Sequence, residues 1–357
     1  MRHKATLAVL PALLWLGSCA PDVRGRQPLE IRVDPRIELI GVVQWLGGYM
    51  LTTQYNFGYR REVEEWFGNH RDHPAVGTFM EMSRGGFSFD AVPKAMLAYG
   101  SPPELSRGGE ALPAGVAERA GGEARLDAFM ESLSDFAVAT DFQGFFDAHR
   151  ATYDNIVAEA DGAARSAAAI LENYVGRDIQ NSTLILGLLL HHGGFSVLFE
   201  NATGTAAWAL IGPAAIVNDQ PSFGDKKRIG RIIWHEFAHT VVNELTDERS
   251  ARVDALRSMH EPIAEQMTQR GYRLWHTVVN EHVIRALTIR LLAGQFGAEM
   301  AGTALESDVN IGFAYLPPLV DALQYYETHR TEYRTLADYY DVVIDSLAAQ
   351  EGRSDSR

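Results

Sequence analysis

The chain has 357 residues, of which 46% are hydrophobic and 22% charged. That composition supports a packed core and excludes a disordered protein. Lys and Arg number 32 against 46 Asp and Glu, a net charge of −14, which repels phosphate backbones and argues against a nucleic-acid binder. The single cysteine, Cys19, excludes an internal disulfide framework and any multi-cysteine metal site.

Arg2, His3 and Lys4 precede a 12-residue run, Ala5 to Leu16, that is apolar apart from Thr6 and Pro11. A bilayer span needs about 20 residues, so the run fits the core of a signal peptide instead. Leu16-Gly17-Ser18-Cys19 follows and resembles the lipobox of bacterial lipoproteins. That resemblance implies cleavage after Ser18 and a lipid on Cys19. With Ala20 rather than Asp after the cysteine, it implies the outer membrane as the address in the bacterial cell envelope. Residues 1–18 are thus expected to be a leader, whose loss removes Arg2 and Lys4 and takes the net charge to −16. Residues 19–30 are polar and proline-containing, as a linker would be.

Residues 31–176 read as a helical N-terminal region. Asp34-Pro35 offers an N-cap with proline at the first helical position. Ile37, Ile40, Val43 and Leu46 then recur as a helix stripe. Further helices are predicted around 59–68, 73–83, 89–99, 124–138, 141–151 and 153–174, with a Gly- and Pro-rich loop from 100 to 122.

After Gly176 the pattern turns to strands. Ser182 to Leu190, Phe195 to Glu200, Ala206 to Gly212 and Ala214 to Asn218 are separated by Gly-rich punctuation. They predict a small, mostly antiparallel sheet. Two long helical patterns follow, 225–244 and 260–296, and then helix to about 348. Residues 351–357 are polar and expected to fray. The predicted fold class is α+β, with residues 177–350 forming the second region.

Within the first long helix lies His235-Glu236-Phe237-Ala238-His239, an H-E-x-x-H. Two histidines four apart lie about 40° from each other on a helix, so both imidazoles reach one Zn²⁺. Glu236 is rotated about 100° from His235, beside the metal rather than on it, where it can take a proton from water. The surrounding helix is apolar nearly all round, and two histidines and a glutamate buried there need partners.

A catalytic zinc wants a third protein ligand and an open position. Val242 and Leu245 exclude the extended motif with a third histidine. Glu244 faces away, and Asp247 and Glu248 lie past the expected helix end. Glu281 is the better candidate, since an unpaired carboxylate in the apolar segment 275–292 is costly. Arg285, one turn on, can orient it; an ordinary Glu281–Arg285 helix pair is the plain alternative.

This pattern, with Asn280-Glu281 following 42 residues after His239, resembles the gluzincin branch of zinc metallopeptidases. The resemblance implies that Glu281 completes the ligand set of His235 and His239. It also implies that a strand edge, in 193–200 or 205–212, pairs with an extended peptide. Gluzincins add a Tyr or His that stabilises the oxyanion, and Tyr315 is the first candidate, ahead of His282, His276 and His260. Asn280 and Asn243 are candidates to support the ligands. His191-His192 sit on opposite faces of an extended chain and cannot readily share one ion. More narrowly, residues 33–39 (VDPRIEL), 73–76 (HPAV), the HEFAH motif and 312–316 (GFAYL) resemble an uncharacterised family of exported bacterial proteins.

The expected function is a lipid-anchored, zinc-dependent peptidase. It would hydrolyse a peptide or protein by attack of metal-bound water, with Glu236 as general base. The competing reading is a non-catalytic envelope lipoprotein that keeps zinc for structure or binds a partner in its cleft.

Overall fold

A computed structural model describes residues 29–354 apart from 109–111, 114, 180 and 202–203. The expected leader, Cys19 and most of the expected linker therefore lie outside the described residues. The first described element, strand β1 (Glu30–Arg32), takes up the last linker residue. Helix α1 (Pro35–Gly47) begins where expected: Asp34 accepts from the Arg36 amide and Pro35 occupies the first turn. Its stripe of Ile37, Ile40, Val43 and Leu46 is buried, and Gly48 ends it at φ +70°, where a side chain would be strained.

Helices α2 (Gly58–Phe67), α3 (Pro74–Arg84), α4 (Ala91–Ala98), α5 (Val116–Ala120), α6 (Glu123–Ala139), α7 (Phe142–Ala148) and α8 (Arg150–Val175) follow. All but α5, a short helix within the expected loop, match expected segments. The chain then makes β2 (Thr183–Leu186), β3 (Gly194–Asn201) and β4 (Gly204–Ile211), with a small separate ribbon of β5 (Ala215–Val217) and β6 (Gln220–Ser222).

The fold is α+β, but the main sheet is mixed rather than mostly antiparallel. Its order is β1-β2-β4-β3, with β1 and β4 both parallel to β2 and only the β3–β4 hairpin antiparallel. The hairpin was readable because its turn is local. The parallel pairings join segments far apart in sequence, and tertiary packing decides them. The expected strand 182–190 also stops at Leu186. Leu188 turns its amide to the buried Glu38 carboxylate at 2.8 Å instead of to a strand neighbour.

Helix α9 (Lys226–Asp247) starts from Asp225, whose side chain accepts from the Arg228 amide. It packs on β3 and β4 and lies between α8 and the helix that carries Glu281. The Trp234 indole fastens it to α8 by donating to the Ala167 carbonyl at 2.9 Å.

The pattern read as one helix over 260–296 is broken into three pieces after α10 (Ser250–Ala255). These are a 3₁₀ segment (Arg257–Ile263), α11 (Ala264–Gln269) and α12 (Trp275–Phe296). Pro262 lies in the first, and Gly271, at φ +93°, separates the other two. Helices α13 (Ala298–Asn310), α14 (Leu316–Thr328) and α15 (Leu336–Ser354) complete the chain, the last running into the segment expected to fray. The two expected regions share one sheet and one core: β1 pairs with β2, and α8 packs on α9.

Candidate metal centre

The centre is built where α9 and α12 cross. His235 and His239, one turn apart on α9, have ring centroids 5.4 Å apart. Helix α12 is buried nearly all round, through residues such as Val278, Val279, Val283, Ile284 and Leu287. That packing carries Glu281 to the histidines. Nε2 of His235 lies 3.7 Å from Oε2 of Glu281, and Nε2 of His239 lies 3.5 Å from Oε1.

These separations test whether the residues fit an ion. Two ligands at the ordinary zinc distances stand about 3.3–3.5 Å apart around a tetrahedral centre. The two imidazole–carboxylate separations, 3.5 and 3.7 Å, are at or just above that spacing, and the three ligand atoms all lie within 4.8 Å of one another. Glu281 is buried and, among the described residues, its Oε2 accepts no hydrogen bond, the Arg285 Nε standing off at 3.4 Å; such an oxygen is able to ligate a cation. His235, His239 and Glu281 are the group of potential ligands found among the described residues. Burial, helped by His239, Arg285 and Arg231, holds the His235 imidazole well below its ordinary pKa. It is therefore neutral, with a lone pair to donate.

Glu236, about 100° round α9 from His235, sits close enough to His239 and Glu281 to feel their charge and also reaches the sheet. It is hydrogen-bonded by the Ser196 side chain of β3, and burial pushes its carboxyl up. A carboxyl raised in this way is suited to accept a proton and return it.

Supporting contacts fix the ligands. Asn243 Oδ1 lies 3.3 Å from His239 Nδ1 and orients that ring. The guanidinium of Arg285 approaches Glu281 Oε2 with Nε at 3.4 Å, donates to Asp308 Oδ1 through Nη1 at 3.1 Å, and lies 4.0 Å over the Phe313 ring. The Tyr272 hydroxyl is hydrogen-bonded to Glu281 and Arg285, and burial beside the carboxylate pushes its pKa up to about 12.

Tyr315, the first candidate for oxyanion stabilisation, donates its hydroxyl hydrogen to the Met259 carbonyl at 2.6 Å. The histidine alternatives are also engaged or shielded. His282 is buried, with Nδ1 on the Val278 carbonyl and its pKa driven down to about 4 by burial. His276 faces Asp254, and His260 packs against Trp275. Asn280 is buried, its Oδ1 has no hydrogen-bond partner among the described residues, and it lies about 100° round α12 from Glu281. Glu244 pairs with Arg177 at 2.6 Å, away from the centre. His191 accepts from the Gly193 amide, closing a local turn.

Tyr272, Ser196 and Asp308 were not foreseen. Only Asp308 left a sequence signal: it follows Ala301 and Ala304 on the buried face of α13, where an acid needs a reason. The chain belongs to the family described as a domain of unknown function (DUF4932), whose model matches residues 29–346. No curated protein and no solved structure matches the chain.

Proposed function

We propose that this DUF4932 member is a zinc-dependent metallopeptidase, held at the bacterial cell envelope by a lipid on Cys19. The observation that supports it best is the meeting of Glu281 with His235 and His239, from separate helices, at ligand-sharing distances. In this reading the three side chains hold Zn²⁺, which when bound supplies Lewis acidity toward water and a peptide carbonyl.

The chain's own residues do the rest. Glu236 takes the proton of the attacking water and delivers it to the departing amine, as its buried, raised carboxyl suits. Ser196 holds that carboxyl in place from β3, so the strand forming one wall of the site also fixes the base. Arg285 and Tyr272 hold Glu281 from behind. Three protein ligands, rather than the four usual for a structural zinc, are available among the described residues. That count favours catalysis over a purely structural ion. No acyl-enzyme is involved.

Glu236→Gln tests the reading. It should abolish hydrolysis of a proteome-derived peptide library while zinc content stays unchanged. Equal cleavage by the variant and the parent would refute it. The anchor is tested by Cys19→Ser, which should release the protein from the membrane fraction.

A further inference from the structure

Arg231 stands on α9 one turn before His235, so residues 231, 235 and 239 share a helix face. The turn between Arg231 and His235 rises about 5.4 Å. Its side chain is 51% exposed, and its one ion pair among the described residues is a long contact of 4.0 Å to Asp308 Oδ1. That oxygen already accepts from Arg285 at 3.1 Å. Asp308 therefore serves the buried guanidinium first and leaves the exposed one largely unmatched.

The position also has a side. Ile232, the next residue, lies against Gly194 of β3, whereas Arg231 faces α13 through Asp308. The ligand face of α9 thus has the sheet on one flank and an available guanidinium on the other.

Resting on the peptidase reading, we propose that Arg231 is a specificity-determining residue that binds a carboxylate of the substrate close to the scissile bond. One helical turn corresponds to one or two extended residues at about 3.3–3.6 Å each. The carboxylate therefore belongs to a residue within two positions of the bond. Its source is either a free chain terminus or an Asp or Glu side chain. A planar guanidinium takes both in the same bidentate manner.

The test uses the full chain carrying Glu236→Gln, loaded with zinc, and four labelled peptides of one core sequence. These end in a free or an amidated C-terminus, each with either Glu or Gln next to the central bond. Binding is read by anisotropy, and cleavage by the parent protein is read on the same set. The carboxylate-bearing peptide should bind about 10- to 100-fold more tightly. Arg231→Ala should erase that margin, and Arg231→Lys should restore part of it.

The terminal-carboxylate and side-chain arms then identify the source. Equal binding of all four peptides overturns the inference, as does a margin that survives in Arg231→Ala. Absence of cleavage by the parent, with a margin that depends on Arg231, would sink the peptidase reading and leave the carboxylate site standing. Arg231 is half exposed, so its variants should melt as the parent does.

Discussion

Asp308 Oδ1 lies 3.1 Å from Nη1 of Arg285, joining α13 to the turn of α12 that follows Glu281. Both side chains are shielded, at 6% and 17% exposure, so neither can fall back on water. The Arg285 guanidinium is pinned between this carboxylate, Glu281 and the Phe313 ring. The orientation of a proposed metal ligand thus depends on an acid 27 residues further along the chain.

Asp308→Ala should therefore weaken zinc binding as well as stability. Loss of a supporting contact of this kind costs about 10–100-fold in metal affinity. Leaving a buried charge without its partner costs about 3–5 kcal/mol. Chelator competition and thermal melting measure the two. Unchanged affinity in a folded variant would mean that Arg285 positions itself without help.

The two tyrosines separate cleanly. Tyr272→Phe removes the hydroxyl that bonds Glu281 and Arg285 and should lower zinc affinity about tenfold. Tyr315→Phe breaks only the bond to the Met259 carbonyl. It should cost about 1 kcal/mol of stability and leave metal binding alone. The reverse pattern would contradict this division of roles in metal binding.

Glu38 supplies a pH signature remote from the centre. It is fully buried on α1, accepts from the Leu188 amide and the Tyr59 hydroxyl, each at 2.8 Å, and burial pushes its carboxyl up to about 7 from an ordinary 4.5. The fold therefore holds this proton more tightly than the unfolded chain does. Its contribution is complete below about pH 4.5 and is lost as pH rises through about 7, a change of about 3 kcal/mol. Glu38→Gln should flatten that part of the stability profile, read as melting temperature from about pH 5 to pH 8. A parent whose stability relative to the variant rises across the window would contradict the assignment.

Legibility in the sequence followed the range of the interaction. The α1 stripe, its Asp34-Pro35 start and the β3–β4 hairpin rest on neighbours in the chain, and the structure has them. His235 and His239 were visible because helical spacing alone aligns them. Glu281 was visible because a lone acid in an apolar helix is expensive, and Arg285 because it is one turn away. The parallel pairing of β1 with β2 was hidden, since three residues, Glu30–Arg32, carry no strand pattern of their own. Ser196 and Tyr272 were hidden for a related reason. A hydroxyl on a strand or in a turn looks like any other until the fold brings a carboxylate to it. The partner of the Tyr315 hydroxyl was hidden as well, since the Met259 carbonyl that accepts its hydrogen bond belongs to a segment 56 residues earlier.

The most direct measurement is zinc stoichiometry and affinity of the purified chain beside Glu281→Ala and Glu236→Gln. One equivalent of zinc should bind to the parent and to Glu236→Gln alike, with affinity falling at least about 100-fold in Glu281→Ala as one of three protein ligands is lost. Zinc bound equally well without the Glu281 carboxylate would contradict the three-ligand centre, and with it the function proposed for this chain.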